Sequence, residues 1–156
     1  MRVALLADHI GAIDMLAAWY EQEWGPYYGD HGPGDAAADL ASRCNRDRLP
    51  AGLVAMDDDK IVGTAALGRD AASGLVPAVV GLLVVPEYRR KGFAGALLDA
   101  AGQFANELGY DELFMSTSIL GEFLKHEGWL EKDDVEFMNS ERGKVYVRSL
   151  SGGQEP

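Results

Sequence analysis

The chain has 156 residues, 25 of them acidic and 14 basic, for a net charge of −11, and 47% of it is apolar. That length suits one domain with roughly 69% of its unfolded surface buried, so no disulfide or metal staple is needed. An acidic balance this strong argues against nucleic-acid and anionic-membrane partners, and a single cysteine, Cys44, excludes a disulfide framework and any multi-thiolate metal site.

No internal repeat interrupts the chain. Residues 1–150 read as one domain, and Ser151 to Pro156 as a flexible tail. The N-terminus meets Asp8 too early for a signal peptide. The longest apolar run, Leu75 to Pro86, is too short to span a bilayer. A cytoplasmic protein is expected.

Arg2 to Ala7 reads as a first strand. Ile13, Leu16, Ala17, Tyr20 and Trp24 recur at helical spacing, and Gly25-Pro26 stops that helix. A loop rich in glycine, tyrosine and proline runs from Gly25 to Gly34. A second helix starts near Asp35, with Ala37, Leu40, Ala41 and Cys44 on one face and Cys44 a buried structural thiol. Its acids, Asp35 and Asp39, come early and its bases, Arg43, Arg46 and Arg48, late, as a helix dipole favours.

The period then changes. Leu53 to Met56 and Ile61 to Leu67 flank Asp57-Asp58-Asp59, a hairpin turn. Ala78 to Val85 is continuously apolar, as a strand covered on both faces would be. Gly92 opens a helix carrying Phe93, Leu97, Ala101 and Leu108 on its apolar stripe and stopping at Gly109. Leu113 to Ser116 is a short strand, Leu120 to Glu127 a short helix ended by Gly128, and Val135 to Met138 and Val145 to Val147 two closing strands. The order β-α-α-β-β-β-α-β-α-β-β makes the fold class α+β with a mixed sheet.

The stretch Leu82-Leu83-Val84-Val85-Pro86-Glu87-Tyr88-Arg89-Arg90-Lys91-Gly92-Phe93-Ala94-Gly95 carries the chemistry. A buried strand ends at a turn bearing three consecutive bases, and a helix opens among small residues. Helix N-termini present unpaired N–H groups and partial positive charge, so this is an anion site. The Walker pattern and the Gly-x-Gly-x-x-Gly spacing are both absent. No calcium-loop spacing follows Asp57-Asp58-Asp59, and Ser73-Gly74 lacks a nucleophile elbow.

Arg89-Arg90-Lys91-Gly92-Phe93-Ala94 instead resembles the acyl-CoA signature of the Gcn5-related N-acetyltransferase (GNAT) family: Gln or Arg, two residues, Gly, one residue, Gly or Ala. Leu82-x-Val84-x-Pro86-x-Tyr88-Arg89 is similar to that family's strand-four exit, and Gly128-Trp129 to its C-terminal Gly-Phe/Trp pair. The segment Leu16 to Gly25 and the hairpin Leu53 to Ala65 resemble uncharacterised bacterial members.

The resemblance implies a mostly antiparallel twisted sheet flanked by helices, acetyl-CoA as cosubstrate and no metal. It also implies a homodimer. Amides from Arg90 to Gly95 would hold the pyrophosphate, with Arg89, Arg90 and Lys91 adding charge. The backbone of Leu83, Val84 and Val85 would pair with the pantetheine arm, and Thr117 stands near a position that contacts CoA in many members.

The implied function is N-acetylation of a primary amine on a small molecule or peptide, to which the net charge adds a preference for a cationic acceptor. The chain departs from the family at Leu124, where a tyrosine usually protonates the leaving thiolate. That opens the alternative of an acyl-CoA-binding module with little or no catalysis. Tyr27, Tyr28 and His126 are candidate proton donors, and Glu21 and Glu23 candidate bases. Trp24, Tyr27 and Tyr28 are candidates for the acceptor pocket.

Overall fold

A computed structural model describes residues 1–150; the expected tail, 151–156, lies outside the described residues. Seven strands form one sheet in the order β1-β2-β3-β4-β5-β7-β6. They are β1 (Arg2–Leu5), β2 (Ala51–Asp57), β3 (Lys60–Gly68), β4 (Ala78–Val84), β5 (Glu112–Thr117), β6 (Leu130–Glu136) and β7 (Arg142–Ser149). The helices are α1 (Ile13–Glu23), α2 (Gly25–Tyr28), α3 (Ala36–Ala41), α4 (Phe93–Glu107) and α5 (Gly121–His126). The expected order and the α+β class hold, with one short helix, α2, added inside the expected glycine-tyrosine loop.

The chain divides into two compact units. The first comprises Met1–Ala66 and Gly81–Leu97. In it β1 runs antiparallel to β2, Arg2 opposite Met56 and Leu5 opposite Leu53. The α1 stripe of Leu16, Ala17 and Tyr20 packs with Leu6, Ala36, Leu40, Val54, Met56 and Leu83. Thr64, buried within β3, donates its hydroxyl to the Leu53 carbonyl at 2.7 Å, which satisfies a polar group that would otherwise be costly there.

The second unit comprises Leu67–Val80 and the chain from Leu98 onward. Here β4 runs parallel to β5 at Ala78↔Phe114. The antiparallel β5–β7 ladder extends from Glu112↔Ser149 to Thr117↔Lys144, and β7 pairs antiparallel with β6. Ala78, Phe114 and Val145 form a small buried cluster. Asp70 takes hydrogen bonds from Ser73 and Ser116 hydroxyls, each at 2.5 Å.

Three expectations need correcting. The first strand stops at Leu5, and Leu6–Asp8 form a 3-10 turn. The second helix ends at Ala41, so Arg43, Arg46 and Arg48 lie beyond its last turn and do not serve its dipole. Ser42 donates to the Asp39 carbonyl at 2.6 Å, and Asn45 to the carbonyls of Ser42 and Pro50 at 3.1 and 2.7 Å. Ser42 and Asn45 side chains thus take the Asp39 and Ser42 carbonyls that a longer helix would have used. Cys44 follows the helix and is half-buried.

The strand expected at Val135 to Met138 is β6, beginning at Leu130. Its sequence, Leu-Glu-Lys-Asp-Asp-Val-Glu, is almost wholly exposed at the sheet edge, where charge rather than apolar alternation is favoured. Among the described residues no helix is long and apolar enough to cross a membrane.

Candidate active site

Strand β4 and the turn after it form the first element of the site. Ala78, Val79, Leu83 and Val84 are buried, but Val80, Gly81 and Leu82 are only half-buried, so this internal strand is open at its middle. Gly81 sits there at φ +62°, in the left-handed region, and its carbonyl accepts the Tyr20 hydroxyl at 2.8 Å. Arg43 Nη1 approaches the same hydroxyl at 3.4 Å. Burial holds the Tyr20 phenol above its usual pKa.

Further along, Val85 N–H donates to the Val62 carbonyl at 2.9 Å, and the Leu83 carbonyl lies against Gly63. Strand alternation therefore sends the polar groups of Leu82 and Val84 to the edge away from β3. The amide of Val85, expected among the pantetheine contacts, is already engaged by Val62.

The turn runs through a short 3-10 segment, Pro86–Tyr88, into Arg90 at φ +63° and Gly92 at φ +91°. Two left-handed residues within three curl the main chain just ahead of α4. The Ala96 N–H is bonded to the Gly92 carbonyl at 3.0 Å, so the amides of Phe93 to Gly95 precede the helix's internal ladder. This is the geometry of an anion cradle at the positive end of a 15-residue helix.

Its charges are arranged unevenly. Arg89 turns back, donating Nε–H to the Val84 carbonyl at 2.8 Å and pairing with Glu23 at 3.6 Å. Arg90 and Lys91 are exposed, and Lys91 and Lys60 each lie 5.3 Å from the centre of the Tyr88 ring. Tyr88 in turn meets Phe93 edge-on at 5.8 Å. Lys60 escaped the sequence reading because it lies in a separate hairpin, about which the basic run says nothing.

The aromatic segment after α1 is packed together. The Trp24 ring meets Tyr20 at 5.1 Å, Tyr28 stacks on Tyr20 at 5.5 Å, and Tyr27 stands edge-on to Tyr28 at 4.7 Å. Tyr28 donates its hydroxyl to Asp39 at 2.7 Å, and burial, then that carboxylate, push its phenol pKa up. Tyr28 is thus a strut between α2 and α3, and Trp24 packs against the core of the first unit. Tyr27 keeps 40% of its surface exposed, and Glu21 is exposed on α1.

In the second unit Thr117 ends β5, and its Oγ1 accepts the amides of Ile119 and Leu120 at 3.2 and 3.0 Å. Leu124 is fully buried, and His126 is exposed in the last turn of α5. The Tyr146 hydroxyl lies over Gly121. An open cavity of about 530 Å³ there is lined by Thr117, Gly121, Asp134, Arg142, Lys144 and Tyr146. Lys144 is paired with Asp134 at 2.5 Å and Glu131 at 3.4 Å. Among the described residues no cluster of three metal-ligating side chains occurs.

The donor set of the first unit suits an acyl-CoA. The curled amides and nearby bases fit a pyrophosphate, and an open strand edge fits the amides of a pantetheine arm.

No curated protein matches the sequence. Solved structures do match in fold. An aminoglycoside 6'-N-acetyltransferase complexed with coenzyme A has a TM-score of 0.76 at 12% identity, over 96% of this chain and 97% of that one. The aminoglycoside 6'-N-acetyltransferase from Enterococcus faecium has the same TM-score and coverage at 14% identity. A GCN5-related N-acetyltransferase from Rhodopseudomonas palustris reaches 0.62 at 22% identity, over 95% of this chain and 93% of that one. The family model described as the acetyltransferase (GNAT) family matches residues 13–120, a span holding β4, the curled turn and α4, and to that family of acyltransferases the chain belongs.

Proposed function

We propose that the protein transfers the acetyl group of acetyl-CoA directly to a primary amine of a small molecule or peptide. The observation carrying this reading is the left-handed pair Arg90 and Gly92, which curls the backbone at the start of α4 directly after an open strand edge. Acetyl-CoA supplies an activated acyl carbon and a thiolate able to leave. The amides of Arg90 to Gly95 hold its pyrophosphate, with charge from Arg90, Lys91 and Lys60, and the Leu82 edge with the Val84 N–H aligns the acyl arm, the Val84 carbonyl being taken by Arg89.

In the reaction a neutral amine nitrogen forms the new C–N bond, the C–S bond breaks, and the proton lost from nitrogen balances the one taken up by sulfur. Glu21 is the freer candidate base, because Glu23 is engaged by Arg89. Tyr27 is the freer candidate donor, because the Tyr28 hydroxyl is committed to Asp39. His126 remains an exposed candidate for that role. Thr117 contributes a hydroxyl whose oxygen already caps the turn after β5.

A net charge of −11 and the aminoglycoside enzymes among similar folds support a cationic acceptor. The same reading carries a cytoplasmic location and a homodimer, and sedimentation of the purified protein checks the dimer. The second reading, a binding module with little catalysis, is favoured by the burial of Leu124 where the family resemblance places a phenol. Thiol release from acetyl-CoA over a panel of polyamines, aminoglycosides and lysine peptides separates the two. Amine-dependent release supports the enzyme; a raised melting temperature with acetyl-CoA but no release with any amine supports the module.

A further inference from the structure

Tyr20 is fully buried on α1, and a phenylalanine would fill nearly the same volume, yet a hydroxyl stands there. That hydroxyl donates to the Gly81 carbonyl at 2.8 Å and sits 3.4 Å from Arg43 Nη1. The Arg43 guanidinium carbon also lies 6.0 Å from the Tyr20 ring centre. Gly81 is the left-handed residue of β4, in the half-buried middle of the strand.

Two constraints make this a matched pair. A side chain at Gly81 would be strained at φ +62°, and its Cβ would overlap the Tyr20 hydroxyl. The carbonyl and N–H of one trans peptide point in opposite directions. When Tyr20 draws the Gly81 carbonyl toward α1, the Leu82 N–H is therefore turned away from α1. The direction of a donor in the open part of β4 is thus set by a side chain of the first helix.

We propose that Tyr20 is a positioning residue for the acyl group: through the Gly81 carbonyl it fixes the peptide that aims the Leu82 amide at the thioester end of acetyl-CoA. The inference rests on the acetyl-CoA reading above. It separates the two ends of the cosubstrate, because the pyrophosphate cradle lies nine or more residues further along and does not involve Tyr20.

The test uses the full chain with Tyr20→Phe, which keeps the ring packing and removes the donor. Titration calorimetry gives the affinities for acetyl-CoA and for CoA, and amide hydrogen exchange is followed at Leu82 to Val84 without ligand. Acetyl-CoA is expected to bind about tenfold more weakly and CoA less than about twofold more weakly, the size of one lost hydrogen bond. Exchange at Leu82 to Val84 speeds up, and kcat falls more than the acceptor KM rises.

An unchanged ratio of the two affinities in a folded variant overturns the proposal, even with a lowered melting temperature, because a packing role alone weakens both ligands alike. If Tyr20→Phe does not fold, Gly81→Ala sets a Cβ against the Tyr20 hydroxyl and breaks the same bond from the β4 side. A shift of the ratio in the same direction supports the role, and no shift overturns it. Absence of acetyl-CoA binding by the unaltered protein is a failure of the proposed function instead. Even then, unchanged exchange at Leu82 to Val84 refutes the pinning of the Gly81 peptide by Tyr20.

Discussion

Gly92 combines a left-handed φ of +91° with open surroundings, the nearest atom to a Cβ being the Met1 Cε at 3.6 Å. Gly92→Glu therefore strains the turn by roughly 1–2 kcal/mol and sets a negative charge at the anion cradle. Acetyl-CoA should raise the melting temperature of the unaltered protein and not that of the variant, as read by a thermal shift. Leu124 is a different case. It is fully buried, so Leu124→Tyr overpacks its surroundings and should cost about 1–3 kcal/mol without raising kcat, as chemical denaturation and steady-state rates will show. At Tyr28 the raised phenol pKa gives a pH signature. The fold favours the neutral phenol, so this stabilisation is complete below the ordinary value of 10.0 and is lost as pH rises beyond it. Tyr28→Phe should cost about 1 kcal/mol near neutrality, through the lost bond to Asp39, and flatten the alkaline decline. Denaturant midpoints from pH 8 to 12 measure both effects.

At the scale of elements, α1 holds β4 at two carbonyls three residues apart, Gly81 directly through Tyr20 and Val84 through Glu23 and Arg89. Much of this framework was legible in sequence. The helical spacing of Leu16, Ala17 and Tyr20 placed one face of α1 in the core, and the small residues after the basic run marked the start of α4. What stayed hidden has physical causes. Gly81 reads as one more member of an apolar strand, because a left-handed φ leaves no trace in periodicity. The Arg89–Glu23 pair joins residues 66 positions apart, so the sequence offered Arg89 as a pyrophosphate base and Glu23 as a candidate general base, with nothing to pair them. Helix α3 was overextended because a charge gradient says nothing of Ser42 and Asn45 taking the carbonyls. Strand β6 was misplaced because at a sheet edge the ladder with β7, not an apolar face, defines the strand.

For the whole molecule, the two compact units share two continuous elements. Strand β4 contributes Gly81–Val84 to one and Ala78–Val80 to the other, and α4 divides after Leu97. We propose that residues 1–150 behave as one cooperative domain, and expect a single melting transition with coincident midpoints by far-ultraviolet circular dichroism and by tryptophan fluorescence. Trp19 and Trp24 report on the first unit and Trp129 on the second, so separate replacement of these tryptophans by phenylalanine resolves the two signals. Two resolved midpoints would reject the single domain.

The anion cradle proposed ahead of α4 is made of main chain, and this bears on how such a protein can change over time. Main-chain donors survive most side-chain replacements, so the sequence information needed to keep an anion there is small and concentrated at the residues whose backbone conformation is special. Across a library of all single substitutions selected for acetyl-CoA binding, Gly81 and Gly92 should stand as isolated intolerant columns, left-handed Arg90 should favour glycine and asparagine over β-branched residues, and exposed Lys91 should accept many replacements. Trp24 and Tyr28 pack on Tyr20 and are tied to the Gly81 column, but half-exposed Tyr27, which packs on Tyr28, can be rewritten without disturbing it. Drift toward a new acceptor amine is then open to this chain at little cost to its hold on the acyl donor.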